Sequence, residues 1–264
     1  MILVIGGTGR VGRRLVRKLR EGGHPVRPAS RTGEVRFDWE QPGTWDDALQ
    51  GATKVFVMAP NRIPDPTLIQ RAVALGVEHI VLLSSRGIEV VGDERMMAAE
   101  RAVETSGAAW TILRPDSFNQ NFDEGFFRQA VAAGELVMPF GDVKQAFVDA
   151  DDIAAVAAAT LTSPGHAGHR YEVTGPRALD YAEALGIIAG HVGHPVRYRG
   201  TDEDYFAAQE ALGKTRAQTE PAVAAFRAIR AAGDHAPTDT VEQVTGRKPR
   251  TFEDYAADAD WTTS

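Results

Sequence analysis

Three glycines spaced three residues apart, Gly6, Gly9 and Gly12 in "MILVIGGTGRVG", are the first point where spacing implies chemistry. A tight bend, a close approach of backbone to an anion, and tight helix–strand packing each need a residue without a side chain, and the triplet supplies all three. The apolar run before it reads as a strand. The run after it places Val11, Leu15 and Leu19 on one face at four-residue spacing and ends at Gly22 and Gly23, which reads as a helix. A pyrophosphate would then lie on the helix N-terminus, where unpaired N–H groups and the dipole favour negative charge. The turn is therefore read as a dinucleotide cradle walled by Gly6, Thr8, Gly9, Arg10, Val11 and Gly12.

The second chemical signal closes the next strand, "HPVRPASR". In such a fold its end faces the adenosine ribose, and an NAD-preferring site carries Asp or Glu there. Here Ser30 and Arg31 stand in that place, a hydroxyl and a fixed cation suited to a 2′-phosphate. NADP(H) is favoured, with NAD(H) kept as the alternative by Glu34 three residues on. Pro28 interrupts this strand and suggests an end that is not fully paired.

These residues need a scaffold, and the chain alternates strand-like and helical runs from its start. "EVRFDWEQPGTWDDALQGA", "TKVFVMAP", "LIQRAVALGV", "EHIVLLSS", a helix over 93–105 and "AWTILRP" continue the pattern. Six strand-like runs alternating with helices predict an α/β chain with a Rossmann-type, doubly wound parallel sheet. Ligands in open sheets bind beyond the carboxyl ends of the strands, which places Asp38, Met58, Ala59, Pro60, Ser84, Ser85 and Pro115 along one rim. The expected division is a nucleotide-binding core over 1–115, to which about 146–175 return, and a smaller α+β substrate lobe over 116–264. In that lobe "DSFNQNFDEGFFRQAVAAGEL" reads as one helix and residues 201–234 as helical throughout. Phe118 is read as a substrate contact, while Phe122, Phe126 and Phe127 are read as packing.

Composition narrows the function. The chain has 264 residues and no cysteine, so disulfides, thiolate metal sites and cysteine nucleophiles are excluded. Its 29 basic residues are scattered among 36 acidic ones, for a net charge of -7, which argues against a nucleic-acid surface and for a small-molecule partner. No apolar stretch reaches the ~18 residues of a membrane span, and the start leaves no room for a signal segment, so a cytoplasmic monomer or homodimer is expected. His166 and His169, and His191 and His194, lack a carboxylate at a recognised ligand spacing, and no metal is expected.

The ordered segments "GGTGRVG", Arg31, "FDWEQPGTWDDALQG", "VFVMAP", "ILRPDSFNQNF", "FVDADDIAAVAAATL", "YEVTGP" and "VTGRKPRTFEDY" together resemble the NmrA-like branch of atypical short-chain dehydrogenases over nearly the whole chain. That resemblance implies NAD(P)H-dependent quinone reductases or redox-sensing regulators. It implies that Asp38 lies near the adenine, that Ala59, Pro60, Ser84 and Pro115 line the nicotinamide side, and that Phe118 and Asn121 reach the substrate. One feature of short-chain dehydrogenases is missing: the residues four after Tyr171, Tyr181, Tyr198, Tyr205 and Tyr255 are Gly175, Leu185, Asp202, Gln209 and Ala259, so no Tyr-x-x-x-Lys pair exists. Where some NmrA-like reductases carry Lys or His four residues ahead of a helix Glu, taken as Glu100, this chain has Met96.

Loss of both acids restricts the acceptor. Hydride delivered to a plain ketone gives an alkoxide whose conjugate acid has a pKa of ~16. Delivered to a quinone, it gives a phenolate-like anion, with ~10 as a fair model. At about 1.36 kcal/mol per unit, the difference of roughly 6 units spares the protein on the order of 8 kcal/mol of charge stabilisation. The expectation is an oxidoreductase passing hydride to a quinone or similarly conjugated aromatic acceptor, with Ser85 or Asn121 stabilising developing charge. The Arg-rich, Lys-poor basic set hints at a GC-rich genome and so at tailoring of aromatic natural products. The alternative is a sensor that binds NAD(P) without turnover, in which the region from Phe118 to Phe127 forms a filled core instead of an open pocket.

Overall fold

The computed structural model describes residues 1–59 and 65–262. Among the described residues nine strands run in chain order: β1 (Ile2–Ile5), β2 (Val26–Ser30), β3 (Val35–Arg36), β4 (Lys54–Met58), β5 (His79–Leu83), β6 (Ala109–Pro115), β7 (Glu135–Val137), β8 (His169–Val173) and β9 (Arg197–Arg199). The helices are α1 (Arg10–Glu21), α2 (Trp45–Leu49), α3 (Thr67–Ala74), α4 (Ile88–Val91), α5 (Glu94–Glu104), α6 (Arg128–Ala133), α7 (Ala150–Thr162), α8 (Tyr181–Val192), α9 (Asp202–Ala211), α10 (Arg216–Ala232), α11 (Thr240–Thr245) and α12 (Phe252–Asp258). Seven strands form one sheet in the order β3-β2-β1-β4-β5-β6-β8, and every pairing in it is parallel. The Rossmann-type, doubly wound α/β fold is thus as expected, with the reversal of strand order between β1 and β4.

Fully buried strands explain the near-continuous apolar runs, since a parallel sheet is covered on both faces. One face packs Leu3, Val55, Ile80 and Leu82 against α2, α3 and α5, with Trp45, Leu49, Leu68 and Val103 at the contact. The other packs Val4, Phe56, Val81 and Leu113 against α1, α7 and α11. Pro28 takes its place opposite Val4, while β3 pairs only from Ala29 onward, so the missing N–H falls where the sheet edge is open.

A third cluster gathers Phe122, Phe127, Phe147, Tyr181, Leu185, Phe252 and Tyr255 beneath the lobe-forming segments, where β7 and β9 form a separate parallel pair. Two expected elements differ here. The stretch from Asp116 to Leu136 is not one helix. Phe118 bridges Val148, the Asn119 N–H donates to the Val148 carbonyl, and the chain then makes a 3-10 turn over Asn119–Asn121 before α6. Gly125 lies so close that a Cβ there would meet Asn121 Cα at 2.8 Å, so tertiary pairing outweighs the helical spacing of the phenylalanines. Likewise, residues 201–234 split into α9 and α10. Leu212–Lys214 close the first, and Thr215 starts the second by a reciprocal cap with Gln218.

Candidate active site

The glycine turn between β1 and α1 is held by sterics. Gly6 has φ +80°, a Cβ at Gly12 would lie 2.1 Å from the Gly6 carbonyl oxygen, and Met58 covers the turn with its Cε 2.9 Å from the place of a Gly6 Cβ. Gly9 precedes α1 with no side-chain cap, and no acidic residue stands in the first turn. The N–H groups of that turn are therefore available to an anion. Val11 and Gly12 are buried, and Thr8 is exposed at the turn.

At the end of β2 the Ser30 hydroxyl is buried and has no hydrogen-bond partner among the described residues. Beside it Arg31 is exposed, and its guanidinium makes no hydrogen bond or ion pair among the described residues. A buried hydroxyl and an uncommitted cation at the ribose end of the rim fit a 2′-phosphorylated dinucleotide. Glu34 instead stands 4.0 Å from Arg20. Asp38, half-buried beyond β3, accepts the Glu40 N–H, and its backbone is pinned by Thr44 and the Trp45 indole. Ala59 is buried against the α3 and α5 side of the sheet, and Pro60 lies outside the described residues.

Beyond β5, Ser84 and Ser85 diverge. The Ser84 hydroxyl donates to Glu100 Oε1 at 2.5 Å, and Glu100, 4% exposed, is also gripped by Arg114 at 2.8 and 2.6 Å. The hydroxyl proton of Ser84 is thus spent on a buried carboxylate. The Arg114 guanidinium is pushed up chiefly by that hydrogen bond to Glu100. Met96, on α5, packs partly buried against the core and is not among the residues lining the cleft described next. Ser85 lines a cleft of about 360 Å³ together with Arg10, Pro115, Phe118 and Asn121, so five of the expected residues converge.

Residues far apart in the chain complete the cleft. Arg86 and α4 form one wall, the loop after β6 another, and Phe140, Gln145, Ile229 and His235 close it from the lobe. Val90, Val91 and Phe126, three of the exposed large apolar side chains, all line it. Phe126 was expected to pack. It is instead 74% exposed, stacked edge-on against buried Phe127 and capped by the Arg10 guanidinium 5.4 Å from its centroid. Arg10 donates to Asn121 Oδ1 at 2.7 Å, which leaves the Asn121 amide N–H groups for the cleft. Gln145 Nε2 is buried at the cleft wall without a partner among the described residues.

The cleft also holds an imidazole that sequence reasoning missed. His235 Nδ1 stands 2.8 Å from Asp116 Oδ2, a pair 119 residues apart. None of the tyrosines lines this cleft. Tyr181 is fully buried, and burial drives its hydroxyl far above the ordinary phenol range. Tyr255 donates to Asp123 in a separate polar cavity beside α1 and is likewise driven upward by burial.

The family model described as NAD(P)H-binding matches residues 6–164. The NAD(P)H azoreductase of Xenophilus azovorans is 38% identical, with 97% of this chain and 96% of the relative covered. The chain belongs to the NAD(P)H-binding family. Its resemblance to the NmrA-like, atypical short-chain dehydrogenases holds, and it is an NAD(P)H-dependent oxidoreductase. A second relative, the (4-alkanoyl-5-oxo-2,5-dihydrofuran-3-yl)methyl phosphate reductase of Streptomyces griseus, is 34% identical, with 98% and 97% covered. Among solved structures, the Escherichia coli NADPH-dependent quinone oxidoreductase in complex with NADPH superposes with a TM-score of 0.81 at 21% identity, covering 97% of this chain and 99% of that one. Citrobacter triphenylmethane reductase with NADP(H) gives 0.70 at 20% identity, covering 97% and 98%.

Proposed function

We propose that this chain reduces quinones and similarly conjugated aromatic compounds with NADPH, the acceptor entering the cleft between Pro115, Phe118 and Phe126. The observation that carries the reading is the cleft itself. It opens at the carboxyl ends of β5 and β6, next to the α1 N-terminus, and it is walled by apolar and aromatic side chains with a few polar groups. An open cleft at Phe118 and Phe126 favours turnover over a sensor with a filled core.

When bound, the nicotinamide supplies the hydride; the chain supplies position and polarity. Gly6, Thr8, Gly9, Arg10, Val11 and Gly12 would hold the pyrophosphate, Ser30 and Arg31 the 2′-phosphate, and Asp38 the adenine side. Met58, Ala59, Pro60, Ser84 and Pro115 would border the nicotinamide side. Phe118 and Phe126 offer flat surfaces for a conjugated ring. The amide of Asn121, and the hydroxyl of Ser85 on leaving its long 3.3 Å bond to the Arg86 carbonyl, are donors for the oxygen or nitrogen on which charge develops. Residues 1–115 with about 146–175 would act as the cofactor-binding core and the remainder as the acceptor lobe. The azoreductase and the (4-alkanoyl-5-oxo-2,5-dihydrofuran-3-yl)methyl phosphate reductase among the relatives support a conjugated acceptor.

Purified protein mixed with NADPH or NADH and a panel of quinones, azo dyes and plain ketones tests this. Turnover of conjugated acceptors with NADPH preferred is the expected result. Tight cofactor binding without turnover of any acceptor would overturn it.

A further inference from the structure

We propose that His235, oriented by Asp116, is the proton donor to the acceptor in this cleft, an assignment that rests on the reductase reading above. The restriction to acid-free chemistry, drawn from the missing Tyr-x-x-x-Lys pair, is then lifted by a residue from the other end of the chain.

The geometry is that of a held imidazole. Asp116 is 5% exposed, and its carboxylate accepts from the Ser117 N–H at 2.7 Å, from the Ala146 N–H at 3.3 Å and from Arg86 Nη1 at 3.4 Å. Donors on every side keep Asp116 an acceptor, so the nitrogen of His235 facing it carries a proton, and the other nitrogen, Nε2, is the end that exchanges. Nε2 makes no hydrogen bond among the described residues, while the ring lines the cleft. The backbone is fastened on both sides. The His235 N–H donates to the Lys144 carbonyl at 2.9 Å, and Arg86 Nη1 donates to the Ala236 carbonyl at 2.9 Å. Arg86 therefore ties the loop to the end of β5, and its other nitrogen meets Glu172 at 3.1 Å.

Charged groups of both signs stand around the imidazole. Asp116 pairs with His235 and with Arg86, and Arg86 pairs in turn with Glu172. Arg10 lines the same cleft, tied to Asn121, while Lys144, paired with Glu183, and Asp234, which accepts the Lys144 N–H, are not among the cleft-lining residues.

The step balances without a further reactant. In an azo acceptor, hydride forms an N–H bond at one nitrogen, the N=N π pair moves to the other as an anion, and the Nε2 proton passes to that anion. The product is a hydrazine, the dihydronicotinamide loses the two electrons the acceptor gains, and the imidazole recovers its proton from solvent. A quinone follows the same course, its phenolate oxygen taking the proton. Because a phenolate is the weaker base, it needs the donor less.

His235→Gln, on a half-buried loop residue, separates these cases. Reduction of the azo dye methyl red should fall about 100-fold or more in kcat, the scale of general acid catalysis, with KM and NADPH affinity unchanged. Reduction of 1,4-naphthoquinone should fall less than about 10-fold. Binding of 4-nitrophenol to the cofactor-free protein gives a readout independent of turnover. The wild type should bind it as the coloured phenolate, and His235→Gln should not. Unchanged azo turnover in the variant, or identical nitrophenol spectra, would overturn the assignment. If the wild type reduced nothing, the reductase reading would fail and the nitrophenol spectra would still decide whether His235 faces a ligand.

Discussion

Removing the charge of Arg31 should convert an NADPH-preferring protein into one that is indifferent to the 2′-phosphate. Arg31 is exposed and makes no hydrogen bond or ion pair among the described residues, so Arg31→Ala breaks no internal contact. The change in folding stability should stay within about 0.5 kcal/mol. Opposite charges about 4 Å apart are worth ~1 kcal/mol in water and ~4 kcal/mol in a surface environment of intermediate dielectric. An exposed guanidinium lies toward the lower figure, so ~1–2 kcal/mol is the working value, a factor of roughly 5–30 in affinity. The assay is a titration of NADPH and NADH into wild type and variant, followed by nicotinamide fluorescence. NADPH binding should weaken by that factor and NADH binding should hold. Salt supplies a second check, because the screening length shrinks from ~8 Å at physiological ionic strength to ~3 Å at 1 M. The wild-type preference should shrink with it, and the variant should show little to lose. Equal weakening of both cofactors, or a preference indifferent to salt, would refute the assignment.

Three further perturbations probe different parts of the account. Gly12→Ala puts a Cβ 2.1 Å from the Gly6 carbonyl oxygen, an overpacking expected to cost about 1–3 kcal/mol and to weaken both nicotinamide cofactors more than about 10-fold; a melt together with a titration checks this, and full affinity would contradict it. Phe126→Ala removes an exposed ring at the cleft mouth and should raise KM for quinones roughly 3- to 10-fold with stability nearly unchanged, as initial rates and a melt would show. Asp151 contacts Arg14 at 3.0 Å and Arg17 at 2.6 Å; burial pushes its carboxyl up, but the Arg14 hydrogen bond and the charges of Lys18, Arg14 and Arg17 outweigh it and hold the pKa below the ordinary value. Such a group stabilises the fold above ~3.9 and loses its contribution as pH falls through the lowered folded value. Asp151→Asn should therefore cost up to ~1 kcal/mol at neutral pH, a modest figure for a half-exposed pair, and the gap in urea midpoints should close on acidification instead of widening.

The glycine cradle and the sheet were legible because their signals are local. Gly6, Gly9 and Gly12 fall within one turn, and each buried strand is a short apolar run between breakers. The fold put Ser85 and Pro115 on the rim with Phe118 just beyond it, the family resemblance added Asn121, and all four line one cleft. The lobe side was harder to read for the same physical reason. His235 sits in a Pro-bounded loop with no periodicity, and its meaning comes from Asp116, on the loop after β6. Phe126 follows the same spacing as its buried neighbours, and only the turn at Gly125 and the reach of Arg10 put it outside. Ser84 and Glu100 are 16 residues apart, and nothing in their spacing announces that one hydroxyl is spent on the other's carboxylate.

The central claim is that this chain places the nicotinamide directly against an acceptor bound between Pro115 and Phe126. Its most direct measurement is a single turnover of NADPH carrying deuterium at the transferring position, mixed with protein and 1,4-naphthoquinone and followed by nicotinamide absorbance. The account predicts a rate that saturates with quinone, slows on deuteration, and delivers one hydroquinone for each NADPH consumed. Loss of nicotinamide absorbance that ignored the quinone, or none at all, would contradict it.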